Sequence, residues 1–224
     1  MNMLTTATSL AADPFARRVT ASEADMLDLL GRLTSAMELR DQTGGTHGSR
    51  VAHVAARLAI LAGFVPQFAE DLLVVVPLHD LGKVAIPEAI LQKDGALTAA
   101  ERAIVNTHTE IGASIMGSHD SPLLRLAAEI ALSHHERWDG TGYPNGRAGR
   151  GIPVSCRLVG IADTFDALLS RRSYKDAWSP DAVRQYMKGQ YGLAYDPELL
   201  DLFLAHFDEM LDLRRSVEDV WLVD

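Results

Sequence analysis

Apolar positions recur at helical spacing along nearly the whole chain. Thr20 and Glu23 match a capping box, and Met26, Leu30, Leu33 and Met37 follow on one face, which predicts a helix over 20–41. Val51, Val54, Leu58 and Leu61 predict a second helix that ends near Gly63, ahead of Pro66. A nearly all-apolar third segment runs from 66 to 81. Pro77 inside it removes one backbone hydrogen bond and predicts a kink. Thr98 and Glu101 form a further capping box, opening a helix with Ile104, Ile111 and Ile115 on its inner face. Ser121-Pro122 starts the next helix, which is expected to reach Glu136. Five glycines between Gly140 and Gly151 predict a long loop. Beyond it, Val154, Leu158, Ile161, Phe165 and Leu168 predict a helix that Pro153 opens and that runs to Ser170. Ser179-Pro180 and Asp196-Pro197 open two more. No alternating strand pattern and no repeat are present, so the expected class is all-α.

The pattern divides the chain into a frayed stretch over 1–19, an N-terminal helix over 20–41, one domain over 42–213 and a tail over 214–224. A length of 224 residues is ample for one core. The 30 acidic against 21 basic residues give a net charge of −9, which argues against a protein that coats nucleic acid. A single cysteine, Cys156, excludes an intrachain disulfide framework and any multi-thiolate metal site, and fits a cytoplasmic protein. The longest apolar run, residues 72–78, is too short to span a bilayer, and the N-terminus has neither the basic start nor the apolar stretch of a signal peptide.

The histidines sharpen the picture. His47 continues the stripe of Val51, Val54 and Leu58; His108 lies between Ile104 and Ile111; His134 lies four residues beyond Ile130. Each points inward, where an imidazole needs a hydrogen bond or a metal. One such residue by itself reads as a satisfied core histidine. Here His47, His79, His108 and the pair His134-His135 fall on four successive predicted helices, and Asp163 falls on a fifth. A helical bundle gathers metal ligands into its core in this manner. Neighbours on a helix point about 100° apart, so His134 and His135 suit two adjacent ions better than one. Asp80, beside His79, then places a carboxylate between the two ions. Asp163 sits on a small-residue side of its helix with Gly160 and Ala167, as a ligand rather than a cap.

The expectation is a di-metal centre with nitrogen and oxygen ligands, fitting Fe, Mn, Zn, Co or Ni. Two ions about 3.5–4 Å apart clamp a phosphoryl group for in-line attack, so the expected reaction is metal-assisted phosphoester hydrolysis. Lys83, four residues after His79, reaches a phosphate oxygen or serves a helix C-terminus. His53, His119 and His206 fall outside the constellation. Trp138 is either a stacking surface for a base or an anchor for the glycine-rich loop.

These residues resemble a known family. His79-Asp80-Leu81-Gly82-Lys83 resembles the signature of HD-superfamily phosphohydrolases, and HHERWDGTGYP over 134–144 resembles the second signature of the HD-GYP subfamily. IPEAILQKDGALTAAE over 86–101, followed by His108, and IPVSCRLVGIADTFDAL over 152–168 keep the family's order and spacing, so the resemblance covers residues 22–207. It implies an HD-type helical bundle with a di-metal site at its centre. The implied activity is a metal-dependent phosphodiesterase that hydrolyses cyclic di-GMP to pGpG, and onward to GMP in some members, in bacterial second-messenger signalling.

By motif position, His47, His79, Asp80, His108, His134, His135 and Asp163 match the metal ligands, and Fe or Mn are the implied ions. Asp80 and Lys83 match catalytic positions. Lys83, Tyr143, Arg172 and Lys175 match residues that contact substrate. Members with three metals carry a glutamate where this chain has Thr43, so two ions are expected. The stretch Arg171-Arg172-Ser173-Tyr174 and Pro77 also depart from the usual pattern. Contacts to diguanylate cyclase (GGDEF) domains through the GYP loop are a further implication, and a homodimer through the N-terminal helix is expected. The competing readings are an HD hydrolase for another nucleotide, or a weakly catalytic module that senses a cyclic dinucleotide or docks proteins.

Overall fold

The computed structural model describes residues 21–40, 46–117, 120–170 and 176–219. Thr20, Thr43, His119, Arg172 and Lys175, the Glu23 and Met37 side chains, and the departures at 171–174 lie outside the described residues. The architecture is all-α, as the pattern predicts. Its helices are α1 (Ala21–Arg40), α2 (His47–Leu61), α3 (Pro66–Val75), α4 (Glu88–Leu91), α5 (Ala99–Asn106), α6 (His108–Met116), α7 (Pro122–Ser133), α8 (Val154–Leu169), α9 (Pro180–Gly189), α10 (Pro197–Ala205) and α11 (Phe207–Asp219). Two short 3-10 segments, Val76–Leu78 and Leu81–Ala85, connect α3 to α4. No helix among the described residues is long and apolar enough to cross a membrane.

Helix α2 is the axis of the bundle. Val51, Val54 and Leu58 are wholly buried, and α3, α8, α10 and α11 pack around them. Phe165 of α8 meets Phe203 and Phe207 edge-on, with ring centroids 5.1 and 5.3 Å apart, which closes the core on the C-terminal side. The expected caps form at α5, α7, α9 and α10. The Thr98–Glu101 capping box is complete, and Ser121, Ser179 and Asp196 each accept a first-turn backbone N–H.

Five expectations are corrected. Pro77 does not kink a continuing helix: α3 stops at Val75, and the proline sits in the 3-10 turn, where no helical N–H is required of it. His79 and Asp80 therefore lie in a break between helices. The helix expected after Thr98 is two helices with a break at Thr107; Ile104 and Ile115 are 42% and 44% exposed, and the buried face of α6 is His108, Thr109, Gly112 and Met116. Helix α7 ends at Ser133, so His134 caps it and His135 lies beyond it. Among the described side chains of α1 the buried ones are Leu30 and Thr34, while Leu33 faces solvent. Finally, α11 runs through the boundary expected at 214, and Arg214 is buried.

One close approach fixes the site's framework. Gly82 packs against the start of α6 so tightly that a Cβ there would lie 1.9 Å from the His108 carbonyl oxygen and 2.5 Å from the Gly112 nitrogen. Both are backbone atoms that cannot swing aside. Gly82→Ala is expected to destabilise the protein by about 3 kcal/mol in urea unfolding, while Gly151→Ala, where a Cβ meets nothing within 4 Å, stays within about 0.5 kcal/mol of the parent.

Candidate metal centre

The break at 79–80 and the ends of three helices point their side chains at one spot. His47 comes from the first turn of α2, His79 and Asp80 from the break after α3, His108 from the start of α6, His134 and His135 from the end of α7, and Asp163 from the middle of α8. All seven ligand positions expected from the sequence are thus brought together.

Each ring is aimed by the nitrogen that faces away from the centre. Nδ1 of His79 donates to the Val76 carbonyl at 2.8 Å, that of His108 to Val105 at 2.7 Å, and that of His134 to Ile130 and Ala131 at 3.0 Å. A carbonyl only accepts, so Nδ1 carries the proton and Nε2 of each neutral ring presents a lone pair inward. Those three Nε2 atoms, together with Asp80 Oδ1, are buried without a hydrogen-bond partner. Asp80 Oδ1 lies 3.3 Å from His108 Nε2 and 3.9 Å from His134 Nε2, and Oδ2 lies 3.4 Å from His79 Nε2. Lone pairs facing a carboxylate at these distances repel unless a cation lies between them or the rings take second protons. At His134 a second proton is opposed, because burial and the neighbouring rings hold it well below its ordinary range, and burial holds the adjacent His135 at about 4.

The donors form two groups that share Asp80: His47, His79 and Asp80, and Asp80, His108, His134 and His135, with the donor atoms of each group within 4.8 Å of one another. This nitrogen and oxygen set fits divalent first-row cations. Asp163 Oδ1 stands beside the first group, 3.3 Å from His47 Nε2 and 4.0 Å from His79 Nε2. Burial disfavours charge on Asp80 and Asp163. On Asp80 the charge of Lys83 outweighs it, on Asp163 the hydrogen bond from His47 does, and both stay well below the carboxylate range. Burial likewise opposes charge on His47, yet hydrogen bonds to Asp163 and Asp166 raise it to about 10. A metal taken up at His47 Nε2 must displace that proton.

Lys83 Nζ sits 2.7 Å from Asp80 Oδ2, and Lys83 lines a cavity of about 430 Å³ together with Arg102, Tyr143, Asp163 and Leu168. The Tyr143 ring packs on His135, with centroids 4.9 Å apart and planes 33° apart. The loop that carries it is built by two neighbours of the histidine pair. The Glu136 carboxylate accepts the backbone N–H groups of Asn145 and Arg147 at 2.8 and 2.9 Å. Gly142 packs so closely that a Cβ would lie 2.4 Å from the Arg137 nitrogen. Trp138 anchors the loop: its N–H donates to the Ala194 carbonyl at 3.1 Å, and its carbonyl accepts from Gly149 at 2.9 Å. Cys156 is buried, and burial pushes its thiol up to about 12, so it has no reactive role.

Asp166, Arg50 and Arg214 were not singled out from the sequence. Asp166 Oδ2 accepts from His47 Nδ1 at 2.7 Å and from Arg50 Nη2 at 2.9 Å, while Oδ1 accepts from Arg50 Nε at 2.6 Å and Arg214 Nε at 2.7 Å. It is wholly buried, and the hydrogen bonds from His47 and Arg50 outweigh the cost of burial, so its carboxyl is held far below the usual range. The signal was present. Asp166 lies one helical turn after Asp163, among apolar neighbours, and an aspartate there needs a partner.

The fold and this centre define a class, and comparison with known proteins agrees with it. Residues 32–199 match the family model described as HD domain, and the chain belongs to that family. It is 44% identical over 192 residues to 3'3'-cGAMP-specific phosphodiesterase 2 of Vibrio cholerae, covering 86% of this chain and 37% of the relative. It is 40% identical over 195 residues to the cyclic di-GMP phosphodiesterase of Thermotoga maritima, covering 87% of this chain and 52% of the relative. The chain therefore spans about half the length, or less, of these relatives. Among solved structures, Bd1817, an HDG"Y"P protein from Bdellovibrio bacteriovorus, superposes with a TM-score of 0.60 at 18% identity, over 83% of this chain and 63% of that one, and so shares the fold. The resemblance drawn from the signatures is borne out at the level of the HD domain.

Two outcomes follow from Asp166. Asp166→Asn leaves two buried guanidinium groups short of charge and is expected to cost about 3–5 kcal/mol in urea unfolding at neutral pH. A depressed folded pKa stabilises above the unfolded carboxylate range, and that contribution is lost as pH falls toward the folded value. The parent's stability should therefore fall with acid more steeply than that of the variant, and parallel curves would contradict the assignment.

Proposed function

We propose that this chain is a metal-dependent phosphodiesterase that opens cyclic dinucleotides, with cyclic di-GMP converted to pGpG as its reaction. The observation that carries this reading is the set of buried donor atoms without partners, split into two groups around Asp80 and placed beside Lys83 in the lining of an open cavity. On this reading, His47, His79, Asp80 and Asp163 hold one divalent ion, and Asp80, His108, His134 and His135 hold a second. The donor set favours Fe or Mn, with Ni, Co or Zn also compatible. Such ions supply positive charge for the phosphoryl oxygens and ease deprotonation of water.

The chain's own groups do the rest. Lys83, steered by Asp80, binds a non-bridging phosphate oxygen and neutralises charge that grows during attack. Tyr143 keeps His135 in place through ring contact and closes one wall against water. Arg172 and Lys175 are proposed as further phosphate contacts on the resemblance alone. In the reaction, a water oxygen bonds to phosphorus, the bond from phosphorus to the sugar 3' oxygen breaks, and that oxygen takes a proton. The product is linear, with a 5'-phosphate.

A second substrate is favoured by one comparison: the relative with 44% identity is named for 3'3'-cGAMP. Both nucleotides present the same diester to the site. Cyclic dinucleotides are intracellular messengers, which places the proposed activity in the cytoplasm. Helix α1 carries exposed Leu29 and Leu33, at 57% and 49%, and is the proposed surface for a homodimer. The loop over 140–151 is the proposed surface for GGDEF domains.

The test uses protein purified without oxygen and loaded with Mn²⁺ or Fe²⁺. Cyclic di-GMP and 3'3'-cGAMP are each supplied, and products are followed by chromatography. Linear dinucleotide is expected, with Asp80→Ala reducing the rate by at least about a thousandfold. A fully metal-loaded chain that turns over neither nucleotide would overturn the proposal.

A further inference from the structure

We infer that Arg102 binds the second phosphate of the cyclic dinucleotide, the one that is not cleaved, and so selects for ligands with two diesters. This rests on the phosphodiesterase reading above and names the part of the substrate that a residue outside the signatures recognises. Lys83 and Arg102 are the two Lys or Arg side chains that line the 430 Å³ cavity among the described residues. Lys83 is paired with Asp80 at 2.7 Å and belongs to the reacting end.

Arg102 is different. Among the described residues its guanidinium makes no hydrogen bond and no ion pair, although it lies in an acidic protein next to a glutamate. Glu101 is committed elsewhere. Its carboxylate takes Lys93 Nζ at 2.6 and 2.9 Å and the Thr98 N–H at 2.7 Å, contacts that also lower its pKa to about 2. The backbone of Arg102 is fixed as well, through its N–H to the Thr98 carbonyl at 2.9 Å. The capping box thus fixes the helix that carries Arg102 into the cavity lining and holds the carboxylate beside it in sequence on other partners.

A guanidinium without a counter-ion favours an anion over the neutral edge of a base, and its planar fork matches two phosphate oxygens. A cyclic dinucleotide carries two singly charged diesters. With one at the metal centre and Lys83, the other needs a further cation in the same cavity, and among the described residues Arg102 is the second basic side chain in its lining.

The test compares Arg102→Ala and Arg102→Lys with the parent on three metal-loaded reactions: cyclic di-GMP, 3'3'-cGAMP, and bis(p-nitrophenyl) phosphate, which has one phosphate. Arg102→Ala is expected to lower kcat/KM for both cyclic dinucleotides by about thirtyfold, mainly through KM. That loss should exceed the loss on bis(p-nitrophenyl) phosphate by at least about tenfold, with Arg102→Lys recovering part of it. Because Arg102 is exposed, thermal unfolding should match the parent. Equal losses on all three substrates, or no loss at all, would overturn the inference. A loss that differs more than about tenfold between the two cyclic dinucleotides would mark Arg102 as a reader of bases and overturn it too. If the parent cleaves bis(p-nitrophenyl) phosphate but neither dinucleotide, the phosphodiesterase reading fails and takes this inference with it; the other outcomes sink the inference alone.

Discussion

The buried carboxylate of Asp166 ties together the three helices that bring the centre into register. Through it α8 holds His47 and Arg50 of α2 and Arg214 of α11. Ser170, a turn further on, accepts from both arginines, at 3.2 Å from Arg50 and 3.0 Å from Arg214. Two guanidinium groups and one imidazole around a carboxylate out of water are costly unless every donor is used, and here they are directed onto few oxygens in a fixed arrangement. The consequence is orientation. With Nδ1 of His47 on Asp166, its Nε2 can face only Asp163 and the centre. The C-terminal helix, far from the signatures in sequence, thereby steadies the first ligand.

The centre inverts the logic of the surrounding core. Around it, buried carboxylates are paired: Glu136 with the loop, Asp196 with the start of α10 and with Arg157. At its middle, three Nε2 atoms and one carboxylate oxygen are left without partners. Each unmade hydrogen bond costs about 1–3 kcal/mol, which a fold tolerates in one place only if something else is bound there. The outward nitrogens of His79, His108 and His134 are all satisfied, so in those rings the unmet atoms are the ones able to ligate. Metal binding and stability are coupled for that reason: a cation relieves the same atoms that destabilise the folded state without one.

Much of this was legible in the sequence, for identifiable reasons. Inward histidines on successive helices and the paired signatures picked out the seven residues that the fold brings together, because ligand geometry constrains residue type and spacing strongly. The errors fell where a local rule met tertiary packing. Ile104, Ile111 and Ile115 have helical spacing, but the break at Thr107 rotates α6, and His108 is buried with Gly112 and Met116 instead. Pro77 was expected to bend a helix and in fact ends it, placing His79 and Asp80 on irregular backbone. Arg214 passed for a residue of a polar tail, since a single buried charge leaves no periodic trace. Arg102 was silent for the opposite reason: an exposed arginine on a helix is ordinary until a cavity is seen beside it.

The central claim is that the donor atoms around Asp80 form two cation sites that share its carboxylate. Anomalous diffraction from crystals grown with Mn²⁺, with data above and below the manganese edge, tests it directly. Two peaks are predicted, one between His47, His79 and Asp80 and the other between Asp80, His108, His134 and His135. They should lie about 3.5–4 Å apart, the separation at which one phosphate bridges both ions. No peak in the cluster, or a single ion that leaves either group of histidines unligated at saturating metal, would contradict the account.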